Sequence, residues 1–430
     1  MILNNHVAIK KPTLGFPSFG KKRLLFVSVF GPATITAMAD NDASGVATYA
    51  VAGAVLGYPI LFLLGIITVL LAVTQEMGMR LTVVTRKGLA DLIRERFGVR
   101  AAVFMFAALV IANLGILIVD ASAIKATAQI FKLPPVVVVI GVLLVAYFLI
   151  VRGNYKLTQT LMLVACVFFL VYIFSAVRAM PDWKLALGNL VYPHGVQMTP
   201  EYLRNFLVIG MGVLGTTITN WGQFFISSFA LDKKIEKGKV GFAQAETYWG
   251  AFLTDFFSFF MVVATAATLF VHQIPLVSGE QAAMAIQPFA GQLAGTLFGI
   301  GILNAGFMGL VVVSLSTAYA FAEFFGTPGS LNDSFGKSQT FYLILLVQLV
   351  VAGAVALLPQ VSLFQIIIAT QVISAFTLPP IFYYLIRLTS DRGLMGNFVN
   401  NAFQKYFAVA CTILIAIASV FTLAVTVFHL

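Results

Sequence analysis

Asp40, Asn41 and Asp42 stand in succession inside an apolar run that extends from residue 24 to residue 54 of the 430-residue chain. Carrying a carboxylate into a lipid-spanning helix costs about 2.5–3.5 kcal/mol on insertion scales, so something must compensate. An unbroken helix turns about 100° per residue, which points Asp40 and Asp42 about 200° apart and keeps them from sharing a ligand. The residues that follow, Ala43, Ser44 and Gly45, favour unwinding. Unwound backbone exposes carbonyl oxygens, and a carboxylate beside free carbonyls in a water-lined cavity is a cation site. Asp42 is the strongest candidate, because an intramembrane carboxylate is a functional residue by default. Asp40 reads either as a direct contact, as a partner of the contacting groups, or as a residue of an outward gate, and Asn41 as a supporting neighbour.

A second polar interruption, GMGVLGTTITNWG from Gly210 to Gly222, adds Thr216, Thr217, Thr219 and Asn220, with Trp221 beside them. On a continuous helix Thr216 shares a face with Thr219 or Asn220, which gathers hydroxyl, amide and carbonyl oxygens. A later apolar run carries Thr370 and Gln371 before Pro379 and Pro380, and its amide is a third source of oxygen. The candidate metal contacts are thus Asp42, Thr216, Thr219, Gln371, Asn220 and the backbone at Gly45, with Asp40, Asn41, Thr217 and Trp221 supporting or gating them. One anionic charge and neutral oxygens, without Cys, His or Met at the breaks, match hard cations such as magnesium, calcium or manganese. Each threonine and glycine also has the ordinary role of mediating helix packing. Asp120, Asp255 and Glu323 fall in other apolar runs and read as a proton relay or as partners of polar neighbours. Glu76 and Arg80 read as an i,i+4 ion pair at the membrane interface.

The elements that must position these residues follow from composition. The chain is 60% hydrophobic and 10% charged, with a mean hydropathy of +0.98. A water-soluble domain carries about 25% charged residues, so this is an all-α polytopic membrane protein without room for an appended catalytic domain. Spans are expected near 24–54, 57–78, 100–127, 134–151, 157–179, 204–230, 246–272, 294–325, 339–358, 362–387 and 403–428. The charged segment 83–97 is expected to form a short helix on the inner surface. The net charge of +10 reflects cytoplasmic loops, not nucleic-acid binding. With the N-terminus inside, the inner segments collect 21 of the 26 Lys and Arg residues. That topology makes residues 1–23 a cytoplasmic tail, makes 24–430 a single transmembrane domain, and leaves the C-terminus outside. Cys166 and Cys411 lie in apolar runs and form no disulfide framework. No nucleotide loop or nucleophile arrangement is present, so no enzymatic activity and no cofactor are expected.

The two interrupted spans are the first and the sixth. An offset of five inserts the second half upside down relative to the first, as in inverted-repeat transporters, whose site lies where two broken helices meet near the midplane. The division expected is 24–179 for the first repeat, 204–387 for the second and 403–428 for an additional helix.

These residues resemble the Nramp family of divalent-metal transporters, which have a LeuT-type fold. GP with an Asp ten residues on, LAVTQEMGMRLTVVTRKGLADLIRERFG, and TQVISAFTLPPIF resemble the family's first-, second- and tenth-span stretches in the same order. The family's first-span Asp-Pro-Gly-Asn reads Asp-Ala-Ser-Gly here, so Asp42 keeps the aspartate place and Gly45 replaces the asparagine ligand. The sixth-span stretch reads Thr216 to Trp221, with Thr219 where the family has its metal-binding methionine and Trp221 where it has a histidine. Ile116, Val119 and Ile226 occupy positions that are acidic or histidine in proton-coupled members. This pattern resembles the bacterial Nramp-related magnesium transporters. The resemblance implies an inner-membrane carrier of largely hydrated magnesium, and also of manganese, that works by alternating access without proton coupling. Shortening two ligand side chains is expected to enlarge the site for an ion that keeps several waters. The alternatives are a proton-coupled manganese or iron importer and a sodium-coupled organic-solute symporter of the same architecture. The partners implied are divalent metal ions and the lipid bilayer, with no nucleic acid and no obligatory protein.

Overall fold

The computed structural model describes residues 31–276, 279–361 and 363–428. The expected cytoplasmic tail therefore lies outside the described residues. In chain order the α-helices are α1 (Pro32–Ala39), α2 (Ala43–Leu56), α3 (Ile60–Thr85), α4 (Leu89–Phe97), α5 (Val99–Ile130), α6 (Pro135–Arg152), α7 (Tyr155–Ala165) and α8 (Leu170–Arg178). Then come α9 (Trp183–Gly188), α10 (Pro200–Thr217), α11 (Asn220–Asp232), α12 (Val240–Thr265), α13 (Gly279–Met284), α14 (Gln287–Ala290) and α15 (Ala294–Phe325). The chain closes with α16 (Gln339–Ala356), α17 (Leu363–Phe376), α18 (Leu378–Thr389), α19 (Arg392–Met395) and α20 (Ala402–Phe428).

Among the described residues nine helical stretches are long and apolar enough to cross a membrane. The split pairs α1/α2 and α10/α11 add the first and sixth spans, which brings the spanning elements to the expected eleven. The protein is a multi-pass, all-helical membrane protein. Burial separates a centre from a periphery: 67% of the eighth span's most apolar window is inside the protein, against 17% for the fourth. Val136, Val137, Val145 and Phe148 of the fourth span are exposed, as are Ile413, Leu414, Val420 and Phe421 of the eleventh. Side chains of this kind on an outer face suit lipid and not water.

The halves of the interrupted spans pair with one another. α2 lies along α10, while α1 lies along α11, and the seventh span α12 touches both α1 and α2. The tenth span, α17, lies against α10, and the third span, α5, against the eighth, α15.

Three local expectations are corrected. Residues 83–85 continue the second span to Thr85, where Arg86 adopts a left-handed conformation (φ 61°) and ends it. The short helix is α4, and its apolar face of Leu89, Ala90, Leu92 and Ile93 is buried. That face lies against α5, α11 and α15, so neighbouring helices cover it. Glu76 and Arg80 form the expected i,i+4 ion pair, at 2.6 Å, with side chains 0% and 3% exposed inside the bundle. The loop at 180–203 and the connection at 273–293 also contain the short helices α9, α13 and α14, which the apolar pattern did not indicate.

Candidate cation site

The first break is narrower and earlier than the composition of 43–45 indicates. α1 ends at Ala39, Asp40 continues its helical turn, and Asp42 turns extended with ψ −179°. Ala43, Ser44 and Gly45 are already the first turn of α2. The reason is a cap: Asp42 Oδ1 accepts hydrogen bonds from Gly45 N and from Ser44 Oγ, both at 2.7 Å. A carboxylate at a helix N-terminus satisfies an orphan backbone donor and meets the positive end of the helix dipole.

The sixth span breaks by the same device. α10 ends at Thr217, Ile218 leaves helical geometry (φ −111°, ψ 81°), and Thr219 caps α11 by accepting from Gly222 N at 3.1 Å. Thr216 and Thr219 therefore do not share one helical face, since the helix stops between them. The two breaks touch: the Thr219 hydroxyl donates to Asp40 Oδ1 at 3.0 Å. Thr217 Oγ1 lies 2.8 Å from Tyr49 Oη, which joins α10 to α2.

Gln371 reaches the first break from α17. Its Nε2 donates to Ser44 Oγ at 2.6 Å, and Ser44 passes a hydrogen bond on to Asp42. Close approach of α17 to α10 depends on Gly215, where an added Cβ would stand 2.0 Å from the Gln371 carbonyl oxygen. Asn220 Oδ1 accepts from Ser374 Oγ, also on α17, at 3.2 Å. Asn41 points away from this group, donating to Thr254 Oγ1 at 2.8 Å and accepting from Ser258 on α12. Trp221 is fully buried, and its carbonyl accepts from Ser316.

Gly45 corrects the expectation of a wider site. A Cβ there would lie 2.1 Å from the Asp40 carbonyl oxygen and 3.3 Å from Thr216 Oγ1. The space that a side chain would fill is occupied by the Asp40 backbone of the same break, so the glycine lets the first break fold tightly and does not leave a void.

Asp40, Asp42, Thr216, Thr219, Asn220 and Gln371 are each at most 3% exposed, so the group is closed to solvent on both sides. Within it Asp40 Oδ2, Thr216 Oγ1 and Gln371 Oε1 are buried without a hydrogen-bond partner. Buried oxygens of this kind each carry a desolvation penalty of about 1–3 kcal/mol unless something satisfies them. All are hard donors. Among the described residues no group of three or more His, Cys, Asp and Glu is placed to hold a metal ion, so any metal here would need neutral oxygens beside the carboxylates.

The remaining acidic residues divide. Glu323 on α15 accepts from Ser228 Oγ at 2.6 Å and from Ala90 N at 3.3 Å, holding the start of α4. Asp255 is buried on α12. Asp120 accepts from Ser44 N at 3.3 Å, against the first turn of α2. The sequence offered no sign of that contact, and none of Glu246, whose Oε1 accepts from Gly31 N at 2.7 Å and Thr34 N at 3.0 Å at the start of α1.

Relatives share this architecture. The divalent metal cation transporter MntH of Ralstonia nicotianae is 27% identical, the alignment covering 93% of this chain and 90% of that protein. MntH of Listeria welshimeri is 24% identical over 99% of this chain and 94% of that protein. A crystal structure of the Eremococcus coleocola manganese transporter superposes with a TM-score of 0.77 at 19% identity, covering 97% of this chain and 90% of that one. A nucleobase-cation-symport-1 family transporter gives 0.57 at 16% identity, covering 91% and 90%. The fold is thus the inverted-repeat architecture expected from the paired breaks. Residues 33–425 match the natural resistance-associated macrophage protein-like family from near the first break to the last helix, and the chain belongs to that family.

Proposed function

We propose that this protein is a secondary transporter of divalent metal cations, with the ion held between the two interrupted spans. The observation that carries the proposal is the set of unpartnered buried oxygens, on Asp40, Thr216 and Gln371, where those spans and α17 meet. An inward-negative potential supplies about 2.3 kcal/mol per charge per 100 mV, twice that for a divalent ion. Alternating access would proceed by the halves of the broken spans moving against α12 and α17. The lysine and arginine distribution supports a cytoplasmic N-terminus and an external C-terminus, and bacterial relatives support a plasma-membrane location.

The names of the relatives, divalent metal cation transporter and manganese transporter, support a divalent-metal cargo that includes manganese, and so favour the manganese importer over the magnesium reading. One specific observation keeps magnesium in view: the unpartnered oxygens where the breaks and α17 meet belong to a carboxylate, a threonine hydroxyl and an amide, all hard donors. Purified protein in liposomes, with a trapped metal indicator and a pH dye, separates the readings. Manganese entry accompanied by acidification supports the coupled importer, and magnesium entry without acidification supports the uncoupled carrier. Either flux should vanish in Asp42→Ala. Absence of any divalent flux in wild-type protein would overturn the proposal as a whole.

A further inference from the structure

We propose that Asp120 is a further carboxylate of the cation site, beside Asp40 and Asp42, facing the ion from the third span and favouring divalent over monovalent cations. The inference rests on the transport reading above and deepens it.

Asp120 is fully buried in the middle of α5. Its Oδ1 accepts from Ser44 N, and Ser44 is the residue whose hydroxyl links Asp42 to Gln371. Two carboxylates therefore attach to the same first turn of α2, Asp42 through Ser44 Oγ and Gly45 N, Asp120 through Ser44 N. No ion pair compensates either of them among the described residues: the salt bridges there all involve other acids. Two uncompensated carboxylates against one helical turn, away from water, repel each other and lack the partners that buried charges require. With Asp40 beside them, a divalent cation offsets more of this uncompensated charge than a monovalent ion does.

The second oxygen points to the same conclusion. Asp120 Oδ2 is buried and has no partner. On the opposing eighth span it faces Gly309, where an added Cβ would lie 2.1 Å from that oxygen. Residue 309 thus leaves just enough room for the carboxylate and supplies no side-chain donor to it. Together with Asp40 Oδ2, Thr216 Oγ1 and Gln371 Oε1, Asp120 Oδ2 brings the unpartnered buried oxygens of this group to four, and two of them, on Gln371 and Asp120, come from outside the first and sixth spans.

The test is metal binding by full-length protein in detergent, by calorimetry with manganese and then magnesium, with sodium as the monovalent competitor. Asp120→Asn keeps an acceptor for Ser44 N and removes the charge. It should weaken binding of both divalent ions about tenfold or more while folding and monodispersity are retained, and it should make sodium a better competitor. Unchanged divalent affinity and unchanged sodium competition in Asp120→Asn would overturn the inference. So would unchanged affinity with loss of metal-driven acidification, which would make Asp120 a proton carrier. If the asparagine variant does not fold, Gly309→Ala leaves the carboxylate intact but displaces Oδ2, and should weaken the same binding; wild-type affinity there overturns the inference. Failure of the wild-type protein to bind any divalent ion would instead sink the transport reading on which the inference rests.

Discussion

The hydroxyl of Thr219 donates a 3.0 Å hydrogen bond to Asp40 Oδ1, so the cap of one interrupted span is tied to the end of the other's first half. The Thr219 hydroxyl oxygen itself accepts from Gly222 N at 3.1 Å. Thr219→Ala removes both bonds: an N-cap worth about 1 kcal/mol, and a buried acceptor's partner worth about 1–3 kcal/mol. Thr219→Ser keeps the oxygen and should be close to wild type. Thermal unfolding in detergent should show a clear loss for alanine and little for serine. Equal melting temperatures in the two variants would mean that the bridge does not hold the breaks together.

Gly45→Ala should be among the most damaging single-methyl additions in the protein. Its Cβ would meet the Asp40 carbonyl oxygen at 2.1 Å, and that oxygen is backbone and cannot rotate away. Overpacking of this kind costs about 1–3 kcal/mol. Gly241→Ala, with nothing within 4 Å of its Cβ, is the control and should be neutral. Folded yield and melting temperature in one detergent compare the two, and a Gly45→Ala protein as stable as the control would contradict the tight packing of the first turn of α2 on the Asp40 carbonyl.

How far the sequence could be read depends on whether a feature is local. Asp40 and Asp42 in an apolar run, and the Gly-Thr stretch before Asn220, mark the breaks because insertion cost and helix propensity are properties of a few neighbouring residues. The eighth span, expected at 294–325, is Ala294–Phe325 for the same reason. The breaks themselves moved by a residue or two, since Asp42 and Thr219 act as caps and a cap fixes the first helical residue. Contacts between distant segments were not legible. Nothing in the pattern joins Asp120 to Ser44 or Glu246 to Gly31, and the room expected at Gly45 depended on where the Asp40 carbonyl lay.

Glu76→Gln should destabilise far more than a surface charge change. Glu76 accepts from Arg80 Nε at 2.6 Å, Gln244 Nε2 at 2.7 Å and Gln404 Nε2 at 2.8 Å, linking the second and seventh spans to the eleventh. Arg80 in turn donates to Asn400 Oδ1 at 2.8 Å and to the Phe398 carbonyl. Neutralising the acid leaves the arginine buried without its counter-charge, a loss of about 3–5 kcal/mol. The half-exposed pair Lys87–Glu95 makes the contrast, and Lys87→Ala should cost about 0–1 kcal/mol. Chemical denaturation of the two variants side by side gives the comparison, and similar midpoints would show that the buried network carries no particular weight.

Glu246 should govern how readily the first half of the first span leaves its place. Its Oε1 accepts from Gly31 N and Thr34 N at the start of α1, where Pro32 supplies no donor, and so the carboxylate holds that helix end to the seventh span. A negative group at a helix N-terminus contributes about 0.3–1 kcal/mol, and about 2 kcal/mol in partly buried geometry. Glu246→Ala leaves two backbone donors unpaired inside the protein, while Glu246→Gln retains an acceptor and loses only the charge. Opening that separates α1 from α12 must break these bonds, so removing them shifts the balance toward the open form by the same free energy. Alkylation of Thr34→Cys, introduced into each background, reports the open population directly. Labelling should rise several-fold with alanine and modestly with glutamine, because a shift of about 1.4 kcal/mol is a factor of ten in the population ratio. Labelling that stays at the wild-type rate in both backgrounds would mean that α1 does not part from Glu246 during the transport cycle.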